Sequence, residues 1–378
     1  MIKVGHVVNL ISGEADGVYK HLEMIFNNYD KNKFEHFLIF QGGKTIENKL
    51  KRLNIRFFVV PNLKKKFSLR SFSQLFHIIK KENPSILHAH LIKPYILVGL
   101  LNIIFRKSMI FNYHGSFINN DYNTRVEKFL YTFFHRVIEL FCPTKIVLVP
   151  SSSSKLKLER ETKLFRNISY YYNGFDKKSL GETNSNSIQK MIEQFKGDKF
   201  FLISVISRIN REKRIDRAVE IFEQVHHKFE KCRLFIFGKG EESKKITELI
   251  EEKNLNDCIF ALGFVENAHA YLSLFNILLI TSEREGLPMV LWESIANGIP
   301  VISSDVGGIR EILETYNCGF VFNKDNTQEA IEKISLLIQN EELRKIMGEN
   351  GKKIIDEKFN QSNFIQTIEK YYYTLIDE

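Results

Sequence analysis

Short apolar runs and amphipathic stretches alternate along the chain almost from its first residue. "IKVGHVVNL", "EHFLIF", "RFFVV", "SILHAH", "MIFNYH" and "KIVLVPSS" read as short buried strands, each separated from the next by a segment of helical length. Such runs flanked by helices are the pattern of a parallel sheet covered on both faces. Between Lys177 and Gly197 the sequence "KKSLGETNSNSIQKMIEQFKG" turns polar and loses the β pattern, so a linker is expected there. The alternation then restarts, with "FFLISVISR", "CRLFIFGKG", "CIFALGF", "NILLIT", "PVISS" and "CGFVF" as further strands. The stretch from Ser362 to Ile376 reads as a helix whose Phe364, Ile368, Tyr371, Tyr372 and Leu375 need a partner surface. The expected class is α/β, with a first domain over 1–180, a second over 197–360 and a C-terminal helix over 361–378. Two such domains would leave a cleft between them, with ligand sites at the carboxyl ends of the strands.

Composition narrows this picture. A length of 378 residues exceeds one ordinary core and suits two domains. With 44% hydrophobic and 26% charged residues the chain is globular and not disordered. The four cysteines, Cys142, Cys232, Cys258 and Cys318, lie far apart with no CxxC pair, which points to reduced, buried thiols in a cytoplasm and away from disulfides or structural zinc. The N-terminus lacks a signal-peptide cleavage site and reads as a first strand. The longest apolar run, Tyr95 to Phe105, has 11 residues. A spanning helix needs roughly 20, so no transmembrane segment is expected.

Charge is unevenly placed. Residues 1–180 hold 29 Lys+Arg against 13 Asp+Glu, while the remainder carries a net −7. A basic first half suits an anionic surface such as a membrane or a lipid phosphate, although solvated lysines would give the same bias. No nucleic-acid recognition module accompanies it, and nucleic acid is not an expected partner.

The turns after strands carry the candidate chemistry. In "FGKGEE", Gly238 and Gly240 follow a strand and precede a helix, an arrangement that serves a close backbone approach to phosphate or simply a turn. The full GxGxxG fingerprint is absent because Ser243 stands at its last position, which argues against a dehydrogenase. "ISRINREKRIDRAVE" places Arg208 at a strand end and Lys213 before a helix, two cations suited to a diphosphate or to a solvated basic turn. In "EREGLPMVLWESIANG", Pro288 suits a helix start and Gly298 its stop, with free N–H groups at Gly286 and Leu287 facing outward as an anion nest. Glu285 and Glu293 stand eight positions apart, and carboxylates suit vicinal hydroxyls. A helix dipole accounts for Glu285 alone, but not for an acid inside the apolar "VLWESIA".

These residues resemble the signature of glycosyltransferase family 4, retaining enzymes of the GT-B fold with two Rossmann-like domains facing a cleft. "EREGLPMVLWESIANGIPVISSDVGGIREIL" is similar to the family's E-x7-E segment, with Glu285 and Glu293 on its two acids. "ISRINREKRIDRAVE", "FGKGEE", "YNGFD", "LHAHLIKPYILVGL" and "NYHGS" match further family segments in order, with Ser207 and Arg214 standing where glycines are usual. The resemblance implies that Arg208 and Lys213 hold the nucleotide diphosphate and that Glu293 binds the ribose. It implies that Glu285, Gly286, Leu287 and Pro288 hold the donor sugar and phosphate, with Gly238 and Gly240 beside them. His114 is expected next to the transferred sugar, and the C-terminal helix to cross back onto the first domain. Gly17 is expected near the donor phosphate, although "SGEADGVYKHL" keeps Gly13 and Gly17 without an adjacent Gly-Gly.

The expected reaction is transfer of a hexosyl unit, with retention, from a nucleotide diphosphate sugar (a UDP-sugar) to a hydroxyl of a glycan, lipid-linked and destined for a bacterial surface polysaccharide. No DxD pair is present, so cations and a helix terminus are expected to neutralise the leaving diphosphate without an essential metal or other cofactor. The Phe-rich "VEKFLYTFFHRVIELF" and the basic "PNLKKKFSLRSFSQLFHIIKK" suggest peripheral contact with the inner face of the cell membrane, although a Phe-rich helix packed in the core of the first domain accounts equally well for much of the former. The alternatives are a sugar-nucleotide 2-epimerase of the same architecture and a non-catalytic sugar-nucleotide-binding protein.

Overall fold

The computed structural model describes residues 1–11, 17–63, 68–114, 125–142, 145–161, 165, 167–177, 181 and 185–377. They form two compact units, Met1–Gly174 with Gln361–Glu378, and Phe175–Asn360.

The first unit is built on seven parallel strands: β1 (Ile2–Val8), β2 (Phe34–Phe40), β3 (Arg56–Val59), β4 (Ile86–His90), β5 (Ser108–Asn112), β6 (Lys145–Val149) and β7 (Ile168–Tyr170). Their order in the sheet is β3-β2-β1-β4-β5-β6-β7. β1, β2, β4 and β5 are buried almost throughout, as strands covered on both faces must be. One face packs on the helix Gly17–Asn28 and on the last helix, Gln361–Asp377. That last helix buries Phe364, Ile365, Ile368, Tyr372 and Leu375, a helical spacing along one stripe. Polar contacts fix its place: Asp30 N–H donates to Glu369 Oε1 at 2.9 Å, the Tyr371 hydroxyl to the Tyr170 carbonyl at 2.8 Å and the Ser108 hydroxyl to the Leu375 carbonyl at 2.8 Å.

The second unit holds six parallel strands: β8 (Phe201–Ile206), β9 (Cys232–Phe237), β10 (Ile259–Gly263), β11 (Ile277–Ile280), β12 (Val301–Ser304) and β13 (Gly319–Phe322), in the order β10-β9-β8-β11-β12-β13. Both sheets share the doubly wound order in which the chain leaves a central strand first to one side and later to the other. The place where it reverses lies between β8 and β11 here, and crevices for ligands form outside the carboxyl ends of such strands.

The polar stretch 177–197, expected as a linker, contains the helix Asn186–Gly197. Ser185 caps it, and Ile188, Met191, Ile192 and Phe195 pack against β8, β9 and the short 3-10 helix Ala268–Leu274. Its amphipathic spacing was hidden by the Ser/Asn/Thr run before it. The four cysteines are free and buried. Among the described residues no helix is long and apolar enough to cross a membrane.

Candidate active site

The turns after β8 and β11 meet at the reversal point of the second sheet. Thr281, just past β11, donates its hydroxyl to the carbonyls of Lys213 (3.1 Å) and Arg214 (2.9 Å), and Glu283 N–H donates to the Glu212 carbonyl at 2.7 Å. These bonds hold the two turns as one block. Beneath them, the buried Arg217 donates to the Thr281 carbonyl at 2.9 Å and to Glu283 Oε2 at 3.1 Å. Lys324 closes a further hydrogen-bonded ion pair on Glu283. Lys324, with Arg217 behind it, keeps the Glu283 carboxyl below the usual carboxylate range.

On this block Lys213 makes a hydrogen-bonded ion pair with Glu285, and the Ser282 hydroxyl donates to the same Glu285 oxygen at 2.7 Å. Both charged side chains are mostly shielded, with 18% and 11% of their surface exposed. Arg208 is exposed and makes no ion pair with the described residues. The N–H groups of Gly286 and Leu287 also have no hydrogen-bond partner among them, and they directly precede the helix Met289–Ala296, with Pro288 at its N-cap position. An exposed cation, a paired cation and two free amides at one sheet edge can together bind a diphosphate.

Glycines let these turns come together. A Cβ on Gly238 would lie 1.8 Å from the Ser207 carbonyl oxygen, and one on Gly240 would lie 2.1 Å from that of Ile209. The two residues therefore need to be glycine because the β9 turn packs directly on the Arg208 turn, whatever ligand lies above. Gly307, with φ +58°, passes so close to the Glu285–Gly286 backbone that its Cβ would lie 2.3 Å from the Gly286 oxygen. Gly308 N–H then donates to that oxygen at 3.0 Å. The Gly-Gly pair after β12 is thus the support of the Glu285 turn.

Glu293 lies on the buried face of its helix, and its Oε1 is 3.9 Å from Nδ1 of His269 on the 3-10 helix. His269, Arg217 and Lys324 carry no signal in the sequence, since a charged or polar residue in a polar turn or an amphipathic stretch reads as solvent-facing. Gly307 was visible in the signature, but its reason was not.

In the first unit, His114 follows β5 by two residues. Its Nε2 meets His90 Nδ1 at 2.9 Å and Asn112 Nδ2 at 3.1 Å. Burial, joined by repulsion among neighbouring imidazoles, holds His114 and His90 well below the usual histidine range. Gly17 opens the helix Gly17–Asn28, with open space where a Cβ would stand. Gly13 and Gly115 lie outside the described residues.

Two family models match the chain in turn, Glycosyltransferase Family 4 over residues 15–179 and Glycosyl transferases group 1 over residues 186–354. The chain belongs to glycosyltransferase family 4: it is an enzyme, a hexosyltransferase of the GT-B fold. It is similar to N-acetyl-alpha-D-glucosaminyl L-malate synthase of Bacillus anthracis, 24% identical over 322 residues that cover 82% of this chain and 80% of that protein. The capsular polysaccharide biosynthesis glycosyltransferase CapM of Staphylococcus aureus is 25% identical over 321 residues, 82% of each chain. The crystal structure of HepE from Anabaena, in complex with UDP and glucose, superposes with a TM-score of 0.81 at 18% identity over 99% of this chain and 100% of that one, a likeness of fold.

Proposed function

We propose that this enzyme moves a hexosyl unit from a UDP-sugar to a hydroxyl of a lipid-linked glycan, with the anomeric configuration retained, in the assembly of a bacterial surface polysaccharide. The observation that carries the reading is the Lys213–Glu285 pair beside Arg208 and the free amides of Gly286 and Leu287 at the sheet's reversal point. The relatives named above, one of them a capsule enzyme, and the UDP bound to HepE support it.

In this reading Arg208 and Lys213 hold the diphosphate. The helix terminus at Pro288–Met289 and the amides of Gly286 and Leu287 take up the charge that develops as it leaves. Glu285, with one oxygen already engaged by Lys213 and Ser282, keeps its second oxygen for a hydroxyl of the donor sugar. Glu293, steadied by His269, binds the ribose hydroxyls. The cations take the place of a metal, so none is required. His114 serves the transferred hexose and the first unit receives the acceptor; both rest on the family resemblance.

The helix Arg125–Phe141 supports a membrane-associated acceptor. Phe129, Phe133 and Leu140 are 70%, 52% and 71% exposed and follow one stripe, with the exposed Arg136 between them. Aromatics mixed with cations on one face of a helix suit an anionic bilayer surface. We place the enzyme at the cytoplasmic face of the cell membrane on this basis.

The test is incubation with UDP-, GDP- and ADP-hexoses, with and without a lipid-diphosphate acceptor. Release of UDP, faster with acceptor, is expected. Interconversion of free sugar nucleotides, or binding without turnover of any of them, would contradict the reading.

A further inference from the structure

The proposed reaction uses one histidine of the first unit, yet the structure lines up several behind it. His36, His6 and His90 stand on the neighbouring strands β2, β1 and β4, with rings meeting head to tail. His36 Nδ1 lies 2.8 Å from His6 Nε2, His6 Nδ1 lies 3.0 Å from His90 Nε2, and His90 Nδ1 lies 2.9 Å from His114 Nε2. Asn112 Nδ2 reaches that same His114 nitrogen at 3.1 Å and His21 Nε2 at 3.0 Å. His21 Nδ1 in turn meets Asn173 Oδ1 at 3.1 Å.

A neutral imidazole has one N–H and one lone pair, so each link fixes the next. Two directions run through these links, with His114 Nε2 shared between His90 and Asn112 in either, and the ends choose between them. If every Nδ1 carries the proton, the atoms left over are the His36 Nε2 lone pair and the Asn112 amide oxygen. Both are buried without a hydrogen-bond partner among the described residues. The opposite direction would strand N–H donors at those same two places. Orphaned buried N–H groups are rarer than under-satisfied oxygens, and the first direction is favoured. An added proton would break a link and place a cation where, among the described residues, no carboxylate hydrogen-bonds to any of these rings.

We propose that His90, backed by His6 and His36 and braced by Asn112, is a positioning residue that locks His114 as the neutral Nδ1–H tautomer, so that His114 presents a hydrogen-bond donor to the transferred hexose. The functional part rests on the reading that His114 serves that hexose. Because the chain of rings ends blind at His36, it holds a proton in place and does not carry one away. The groups His6/His88/His90 and His21/His90/His114 bring ring nitrogens within 4.8 Å of one another, but a metal there would have to displace these links with no carboxylate to orient the rings.

The imidazole ¹⁵N spectrum of the wild-type protein tests the lock without requiring any variant to fold. A protonated Nδ1 and a hydrogen-bond-accepting Nε2 at His114 near neutral pH are expected. A protonated Nε2, an imidazolium, or a stoichiometric transition metal whose removal by chelator moves these resonances would overturn the lock. Kinetics test its purpose. His90→Asn, which keeps an amide near the Nδ1 position, should stay close to wild type, whereas His90→Phe should lower kcat roughly ten- to a hundredfold at an unchanged donor KM. Equal kcat in wild type and His90→Phe would overturn the positioning role. A correct tautomer in the spectrum with full activity in His114→Ala would instead remove His114 from the sugar site and leave the lock standing.

Discussion

Lys213 and Glu285 satisfy each other, which keeps an ammonium in place at the sheet edge, while Arg208 is exposed and makes no ion pair among the described residues. In the proposed function a diphosphate would share Lys213 with Glu285 and gain a point charge already oriented. Its demand for that charge grows as the bond to the sugar breaks, so removing the cation acts mainly on turnover. Lys213→Ala and Arg208→Ala are each expected to lower kcat by about a hundredfold or more in steady-state assays, with a smaller change in donor KM. Near-wild-type turnover in both would remove them from the reaction. Gly238 makes a different prediction. Its φ of +146° and the 1.8 Å approach to the Ser207 oxygen leave no room for a methyl group. Gly238→Ala should cost about 2–4 kcal/mol in the second unit, read as an earlier unfolding transition and loss of UDP binding. An unchanged melting curve would contradict the packing argument. Glu293 was conspicuous in the sequence as an acid among apolar residues; its neighbour His269 was not, because the two come from separate elements that only the fold brings together.

At the scale of elements, strands were the most legible part. Continuous apolar runs such as "HFLIF" and "FLISVI" need no partner to be recognised, and β2 and β8 fall on them. β7 was not visible, since Ile168–Tyr170 is three residues long with one buried side chain. The helix Asn186–Gly197 hid behind the polar run that caps it, because Ser and Asn favour both loops and helix starts. The helix Arg125–Phe141 buries Ile138 and His135 against the first unit and leaves Phe129, Phe133 and Leu140 exposed, the face that the membrane proposal uses. Replacing those three exposed residues with Ser should abolish sedimentation with anionic vesicles at low salt while leaving the thermal transition in place. Equal binding by the variant, or no binding by the wild type, would contradict the membrane reading.

For the whole molecule, the repeated strand-then-helix pattern made two doubly wound sheets legible, and their reversal points say where each ligand crevice forms. The signature from Glu283 to Gly308 points to the turn in the second unit that carries the proposed donor site. The sequence could not show why its glycines are there or what holds the block together, because Arg217, Glu283 and Lys324 meet only through tertiary packing. The central claim is that the cations and amides of this site release UDP without a metal while the sugar keeps its configuration. NMR of the first sugar anomer released from the preferred UDP-hexose in the presence of EDTA tests both halves at once. The account predicts UDP release at an undiminished rate, with the sugar first appearing in the anomeric configuration of the donor. An inverted first product, or turnover that returns only when a divalent metal is added back, would contradict it.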